Sequence, residues 1–367
     1  MADERIHRVT MPKWGLSMKT GKVIEWFVGE GDTIDKGDDL ADIETEKIAG
    51  TLEAPAGGLV RRLVAEAGVE LPVGAVLAVL APEEVSDAAV DALVAEARAA
   101  IESGALEADD EPEPALLEVG RRTISYVTMG PEEPSGEPVV LVHGFGGDKN
   151  SWLFVQRPLS EARTVHALDL PGHGASDKDV GDGSLKTLAD TVLGFLDGLG
   201  VRRAHLVGHS LGGAVAAAVA QAAPERVASL TLLAPAGYTA EADAEYLRGF
   251  ATATSRRELK PLLGRLFADE SQVTRRLVDD VLKYKRLDGV SGALNTLLGT
   301  LLVGDRQAID TPALLSASSV PVSVVWGDAD RVLPKPDGVE LTTVHAGHML
   351  HMEAAEDTLR AVRGAVD

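Results

Sequence analysis

The sequence of 367 residues contains no cysteine. A disulfide-stabilised scaffold, a thiol nucleophile and a Cys-ligated metal site are therefore excluded, and no residue is assigned to a metal. Basic residues are outnumbered, because 35 Lys and Arg stand against 57 Asp and Glu and the net charge is −22. A charge of this sign disfavours binding to nucleic acid and to an anionic membrane face.

Long hydrophobic runs are also missing. No run reaches the roughly 18 apolar residues that a membrane-spanning helix needs, and the first residues, MADERIHRVTMPKWG, lack the apolar segment of a secretory signal. We therefore expect a cytoplasmic protein that binds neither membrane nor nucleic acid. Because the chain is long and 45% hydrophobic, it has material for two folded units.

An acidic segment divides the chain. Residues 83–114 contain 11 acidic residues and one basic residue, and they end in EADDEPEP, which should stay extended. Apolar residues at helical spacing predict a helix over 86–101. The pattern favours a solvated helix within a linker over a helix that docks. We predict domains at 1–82 and 115–367, joined by an acidic helical and flexible linker at 83–114.

The first domain contains an internal repeat. After a shift of 37 positions, the segment that begins at Val23 aligns with the segment that begins at Val60, with apolar residues matching apolar residues and Gly31 and Gly37 matching Gly68 and Gly74. Each half resembles short strands separated by glycine turns. Two such halves can close into a small two-sheet barrel in which each covers the apolar face of the other.

The sequence Asp42-Ile43-Glu44-Thr45-Glu46-Lys47-Ile48 joins the two halves and places a lysine at the predicted turn. An ordinary solvated hairpin tip would look the same. However, MPKWGLSM, GEGDTIDKGDDLADIETEKI and LEAPAGG resemble the lipoyl domain of 2-oxo-acid-dehydrogenase-type acyltransferases over about residues 6–82. The resemblance implies that Lys47 carries lipoate in amide linkage. The biotin-carrier domain has the same doubled architecture, but its usual Met-Lys-Met turn does not match Glu46-Lys47-Ile48.

In the second domain, short β-branched runs that end in Gly or Pro alternate with helical patterns. This alternation predicts a parallel sheet covered on both faces, with a site at the carboxyl ends of its strands. Gly208-His209-Ser210-Leu211-Gly212 follows one predicted strand and precedes an alanine-rich helix. This context of strand, sharp turn and helix suits a G-x-S-x-G nucleophile at Ser210.

Acid and base candidates follow in the order Ser, Asp, His, and each has rivals. Asp328 and Asp330 follow the strand VPVSVVWG, and His345, His348 and His351 follow VELTTV. The chemistry needs a base that takes the serine proton and an acid that orients the base. From the residues alone, the two aspartates are equal candidates.

The glycine-rich VHGFGG segment follows an earlier strand and could turn the N–H of Phe145 toward the nucleophile. Together with the N–H of Leu211 it would form an oxyanion hole, although a plain glycine turn is equally compatible.

HGFGG, DLPGHGASD, GHSLGG, WGDADRVLP and AGHMLHME together resemble the α/β-hydrolase family over essentially all of 115–367. This resemblance selects Asp330 as the acid and His348 as the base. It also implies a helical cap over about 240–311, between the sixth and seventh strands. A serine at the nucleophile argues against the dehalogenase and epoxide-hydrolase relatives, which need an aspartate there. His173, in the GHG turn, is interpreted as structural.

A small all-β lipoyl barrel followed by an α/β-hydrolase domain with a helical cap resembles the acetyltransferase component of acetoin dehydrogenase complexes. The His-x-x-x-Asp-Gly motif of ordinary lipoyl acyltransferases is absent from the sequence. The resemblance implies acetyl transfer from lipoyl-Lys47 to CoA as co-substrate. It also implies a thiamine-diphosphate-dependent acetoin-cleaving partner, a dihydrolipoyl dehydrogenase partner and a homo-oligomeric core.

Two other functions remain open at this stage. The chain could be a serine hydrolase, esterase or thioesterase that carries a lipoyl domain, or a carrier whose hydrolase half only scaffolds a complex.

Overall fold

The computed structural model describes residues 5–12, 20–44, 49–103, 113–316 and 318–366. Two compact units divide the chain between residues 113 and 114. Lys47 lies outside the described residues. In the part of the chain that is described, no helix has the length and apolar character to cross a membrane.

The first unit contains eight described strands in two four-stranded sheets, with the orders β1-β8-β6-β3 and β5-β4-β2-β7. The strands are β1 (His7–Thr10), β2 (Thr20–Trp26), β3 (Thr33–Ile34), β4 (Asp39–Glu44), β5 (Ala49–Glu53), β6 (Gly58–Leu63), β7 (Glu70–Pro72) and β8 (Val76–Ala81).

The repeat in the sequence is the symmetry of this barrel. A shift of 37 residues carries β2 onto β6, β3 onto β7 and β4 onto β8, so three neighbouring strands follow the same order in both sheets. Gly31 and Gly68 adopt φ of +96° and +89° at equivalent turns, a conformation that strains any residue with a Cβ. The prediction of a doubled all-β barrel is confirmed.

The helix α1 (Asp87–Glu102) differs from the solvated linker helix that the sequence favoured. Val90, Leu93 and Ala97 are buried in one cluster with residues of β8. Arg61, which is 9% exposed, donates to the carbonyl of Val85 and pairs with Asp87 at the start of the helix. The apolar stripe thus covers a barrel face, because burying it is more favourable than exposing it to water.

The second unit is built on an eight-stranded sheet in the order β18-β17-β14-β13-β11-β12-β10-β9. At one edge β10 pairs antiparallel with β9 and with β12, and the other neighbouring strands pair parallel. The strands are β9 (Ala115–Val119), β10 (Arg122–Met129), β11 (Val139–Val142), β12 (Val165–Leu168), β13 (Ala204–His209), β14 (Val227–Leu233), β17 (Val322–Gly327) and β18 (Thr342–Val344).

The helices packed on the sheet are α2 (Leu153–Leu159), α3 (Leu185–Gly198), α4 (Leu211–Ala222) and α11 (Ala355–Val366), and the short α10 (Leu350–Glu353) packs on α2 and α11. The strands β11 and β12 are buried at every residue, as expected of parallel strands covered on both faces. The predicted α/β-hydrolase fold is therefore confirmed.

The segment between β14 and β17 is mainly helical. It contains α5 (Ala244–Thr252), α6 (Arg256–Gly264), α7 (Arg275–Lys285), α8 (Val290–Leu301), the two-residue strands β15 (Leu302–Val303) and β16 (Arg306–Gln307), and α9 (Thr311–Ser316). Serine and threonine side chains cap α6 and α7 at Ser255 and Thr274, as the local sequence favours. These helices occupy the position that the sequence assigned to a cap.

Candidate active site

Ser210 lies at the sharp turn between β13 and α4. Its φ of +52° is a strained conformation for a residue with a side chain. Four backbone hydrogen bonds hold it: its N–H donates to the carbonyl of Leu233, and its carbonyl accepts from the N–H groups of Gly213, Ala214 and Ala236. The turn is thus fixed by its surroundings, and the strain is concentrated at the candidate nucleophile.

The glycines of the G-x-S-x-G segment allow this close packing. A Cβ added at Gly212 would lie 2.1 Å from the carbonyl oxygen of Val142, which is the last residue of β11. The N-terminus of α4 therefore approaches the sheet backbone more closely than any side chain would permit.

We expect Gly212→Ala to lower the free energy of unfolding by about 3 kcal/mol, because backbone atoms must move to accept the methyl group. Gly299→Ala is the matched control, since that helical glycine of α8 is exposed and no atom lies within 4 Å of an added Cβ. It should raise stability by about 0.5–1 kcal/mol. Urea denaturation of both variants checks the prediction, and equal midpoints would contradict it.

The structure brings together one acid and one base from the competing candidates. Nδ1 of His348 lies 2.8 Å from Oδ2 of Asp330, and the side chains are 4% and 0% exposed. Oδ1 of Asp330 accepts hydrogen bonds from the backbone N–H groups of Val332 and Leu333, at 2.8 and 2.9 Å. The carboxylate is thus fully engaged and holds the imidazole with Nε2 directed away from it.

The rival residues pair with each other at the surface. Nδ1 of His345 lies 3.1 Å from Oδ2 of Asp328, and His345 is 90% exposed. The Asp328 hydrogen bond raises the pKa of His345, and the same bond lowers the pKa of Asp328. This is an ordinary solvated ion pair.

His351 is the third candidate base, and it is enclosed. Its ring centroid lies 4.5 Å from that of His209 and 4.8 Å from that of Trp152. Burial lowers the pKa of His351 to about 3, and within the described structure neither ring nitrogen has a hydrogen-bond partner. The ring fills space behind the site.

His209 links the serine segment to the histidine loop. Burial lowers its pKa well below the usual range, so the ring is neutral. Nε2 donates to the carbonyl of His348 at 2.9 Å, and the centroids of the two rings lie 4.7 Å apart. Ser210, next in the chain, and His348 therefore belong to one buried cluster; the two residues are 9% and 3% exposed.

The HGFGG loop after β11 lies beside this cluster. A Cβ added at Gly144 would lie 3.0 Å from Cβ of Ser210. The N–H of Gly147 donates to the carbonyl of Gly144, and the N–H of Gly146 donates to Nε2 of His173. Among the described residues, the N–H groups of Phe145 and Leu211 have no protein acceptor. The two N–H groups that the sequence predicted for an oxyanion hole are therefore not engaged by another protein group in the described part of the chain.

His173 fixes this loop, in agreement with its interpretation as structural. Burial lowers its pKa to about 3, so the ring is neutral. Nδ1 donates to the carbonyl of Pro171, which leaves Nε2 to accept the N–H of Gly146, each at 3.0 Å. Tyr284 of α7 stacks on the ring.

The cap closes over the same loop. A Cβ at Gly146 would lie 2.2 Å from Cε1 of Phe250 in α5, and the ring centroids of Phe250 and Phe145 are 6.1 Å apart. An apolar side chain of the cap thus covers the approach to the candidate oxyanion hole, which limits the entry of water.

Glu353 and Arg331, which hold the cap to the site, were not among the site residues predicted from the sequence. Glu353 accepts hydrogen bonds from the N–H of Gly347 at 2.6 Å and from the N–H of Ala268 at 2.8 Å. Arg331, next to Asp330, donates to the carbonyls of Gly264 and Phe267. Their partners in the cap lie 64 to 85 positions away in the chain, so no local motif could identify these contacts.

A buried ion pair under the loop was also missed. Nζ of Lys149 lies 2.7 Å from Oδ2 of Asp169, and both side chains are nearly inaccessible. Burial alone would raise the pKa of Asp169, but the charges of Lys149 and His143 and its hydrogen bonds lower it. The DLPGHGASD segment was the sequence signal that could have identified this pair, because it begins with Asp169, to which no role was assigned.

The chain matches two families of known proteins. The biotin and lipoyl family, described as biotin-requiring enzymes, matches residues 7–80. The alpha/beta hydrolase fold family matches residues 137–355. A solved meta-cleavage product hydrolase from Pseudomonas fluorescens superimposes with a TM-score of 0.60 at 23% identity, covering 69% of this chain and 97% of that one. At this identity the likeness concerns the fold.

Two relatives match along nearly the whole chain. The dihydrolipoyllysine-residue acetyltransferase component of the acetoin cleaving system of Pseudomonas putida is 47% identical over 360 residues, which cover 96% of each chain. The protein of the same name from Cupriavidus necator is 45% identical, over 95% of this chain and 94% of that one. On this similarity and on its two domains, the chain belongs to the family of dihydrolipoyllysine-residue acetyltransferase components of acetoin cleaving systems.

Proposed function

We propose that this acyltransferase moves an acetyl group from a lipoyl group on Lys47 to CoA, and that Ser210, His348 and Asp330 perform the transfer. The observation that carries the proposal is the buried 2.8 Å contact between Asp330 and His348 beside the strained Ser210 turn. It occurs in a chain whose other unit is a doubled barrel of the lipoyl type.

The barrel fits a lipoyl carrier. β4 and β5 pair antiparallel up to Glu44 and Ala49, and Lys47 belongs to the four-residue connection between them, outside the described residues. A hairpin end suits a lysine that a modifying enzyme and several active sites must reach. When attached, lipoate supplies a dithiol that holds an acetyl group as a thioester. The tether raises the effective concentration of that thioester at the second unit.

In the first step, Ser210 is acylated. Nε2 of His348 takes the hydroxyl proton, and Oγ attacks the thioester carbonyl. The carbon–sulfur bond breaks, and His348 returns the proton to the departing sulfur. Asp330 keeps Nδ1 protonated and stabilises the imidazolium that forms. The N–H groups of Phe145 and Leu211 stabilise the negative charge that develops on the carbonyl oxygen.

In the second step, the CoA thiol gives its proton to His348 and its sulfur attacks the acetyl ester. The bond to Oγ breaks, and Ser210 regains its proton. An oxygen ester is more stable than a thioester, so this step is uphill from the acyl-enzyme and water must be kept out. The position of Phe250 over the loop serves that exclusion. Direct transfer between the two thiols, with His348 as base, is the competing route.

We assign each part of the chain one role in this reaction. Residues 1–82 form the carrier, 83–114 supply α1 and an acidic connection, and 115–367 form the catalytic domain with its cap at about 240–311. The protein is a component of an acetoin cleaving system. Within the same proposal, its partners are a thiamine-diphosphate-dependent acetoin-cleaving enzyme and a dihydrolipoyl dehydrogenase, around a homo-oligomeric core in the cytoplasm.

A serine hydrolase is the second candidate, because the catalytic unit has the fold of solved hydrolases. The two are separated by supplying the full chain with acetyl-dihydrolipoamide and measuring acetyl-CoA and acetate. We expect acetyl-CoA as the main product. Without CoA, thioester consumption should stop after about one equivalent of acyl-enzyme has formed. Acetate released at one rate with or without CoA would favour the hydrolase.

A further inference from the structure

The cap carries a cationic groove that the proposed mechanism does not use. It is an open depression of about 470 Å³, lined by Arg256, Arg257 and Lys260 of α6 together with Glu270 and Val273. This volume is within the range of small-molecule sites. We propose that this groove, the cap groove, binds the phosphate-bearing nucleotide half of CoA; the inference rests on the proposed transfer to CoA.

Two of its cations are available for a ligand. Arg256 is engaged by Asp279, with Nη2 and Oδ2 2.7 Å apart, and Glu270 is engaged by Arg331 at 2.9 Å. Among the described residues, no acidic partner lies within ion-pair distance of Arg257 or Lys260. These two cations are three positions apart on one helix and so project from neighbouring surface. In a chain of net charge −22, the groove therefore concentrates positive charge that is not neutralised.

The lining suits a nucleotide phosphate. Guanidinium and ammonium groups form short, charge-assisted hydrogen bonds with phosphate oxygens. Pro261 and Val273 add apolar wall on which a base can lie. Docking of the acidic carrier domain is the other use for exposed cations, but a protein interface takes about 800 Å² on each side and needs no cavity. The concave shape favours the small ligand.

The groove is connected to the catalytic residues. Its wall residues Gly264 and Glu270 both bind Arg331, the neighbour of Asp330. The carbonyl of Leu266, two residues after Gly264, accepts the N–H of Met349, the neighbour of His348. One loop thus separates the groove from the acid and the base. A nucleotide held there leaves the long, flexible thiol-bearing arm of CoA to reach Ser210.

The test compares full-length wild type with Arg257→Ala/Lys260→Ala. The matched control is Lys283→Ala/Arg286→Ala, which removes the same charge from exposed positions of the cap outside the groove. Calorimetric titration measures the Kd of CoA and of dephospho-CoA. Wild type and control should bind CoA about tenfold more tightly than dephospho-CoA. The groove variant should weaken CoA binding about tenfold or more and bind the two ligands equally.

An unchanged Kd for CoA in the groove variant would overturn the inference. If, in addition, the groove variant had a higher KM for the acetylated carrier domain, the groove would be a docking site for the carrier. These binding measurements need no turnover. If the wild type made acetate in place of acetyl-CoA, the proposed function would fail while the titration still decided the site. Unfolding midpoints equal to wild type would show that both variants are folded.

Discussion

Replacing Ser210 with alanine is expected to lower acetyl-CoA formation from acetyl-dihydrolipoamide by about 10³-fold or more, because the acyl-enzyme can no longer form. The side chain lies at a strained turn that its neighbours fix, and the smaller alanine can occupy the same backbone conformation without new contacts. The variant should therefore fold normally. A steady-state assay of acetyl-CoA measures the loss of activity. Mass spectrometry of the protein shows whether the acetylated form, which wild type should accumulate, is missing from the variant.

Asp330→Asn should act on the same step through the imidazole, with a loss of about 10²–10⁴-fold. The amide can keep the two backbone hydrogen bonds from Val332 and Leu333, but it cannot hold the protonated Nδ1 of His348. Asp328→Ala and His345→Ala are the matched controls, since they remove the exposed pair next door. Both controls should retain wild-type activity within about twofold.

The outcome also separates the two routes of transfer. Retained acetyl-CoA formation in Ser210→Ala, with its loss in His348→Ala, would refute the acyl-serine and establish direct transfer between thiols. Loss in both variants, with an acetylated wild-type protein trapped in the absence of CoA, would agree with the acyl-enzyme.

Lys47→Arg is expected to abolish acetoin-dependent acetyl-CoA formation in the reconstituted system, because arginine cannot take lipoate in amide linkage. Transfer from free acetyl-dihydrolipoamide should persist, since the catalytic unit is unchanged. Intact mass after co-expression with a lipoate ligase should show one lipoyl group on wild type and none on the variant. Lys36→Arg, at an exposed lysine of the same barrel, should be modified like wild type. A lipoyl group retained by Lys47→Arg would contradict the assignment.

Several elements were accessible from the sequence because their signals are local or periodic. The 37-residue repeat predicted two matching sheets, since strands with the same spacing and turn glycines pair in the same order. The G-x-S-x-G segment predicted a turn between strand and helix, because only glycines fit where Gly212 meets the backbone of Val142. Alternating apolar strands and helices predicted the parallel sheet.

The helix α1 was predicted from such a local signal, but its packing on the barrel was not. Its apolar stripe was visible, but the acidic composition around it favoured a solvated helix. The partner surface lies on β8, the strand that precedes the helix, and the buried Arg61 that meets its first turn lies 26 positions before Asp87. Composition describes what a segment can bury, whereas its partner decides whether it does.

The sequence by itself determined the two domains, the order of their elements and the short set of residues capable of the chemistry, because periodicity and turn residues act within a few positions. Only the tertiary structure decided that Asp330 meets His348 in the interior while Asp328 meets His345 in water. It also decided that cations on α6 share a groove wall with the partners of Arg331. Such pairings depend on side-chain direction and on contacts between distant segments, which sequence spacing does not specify.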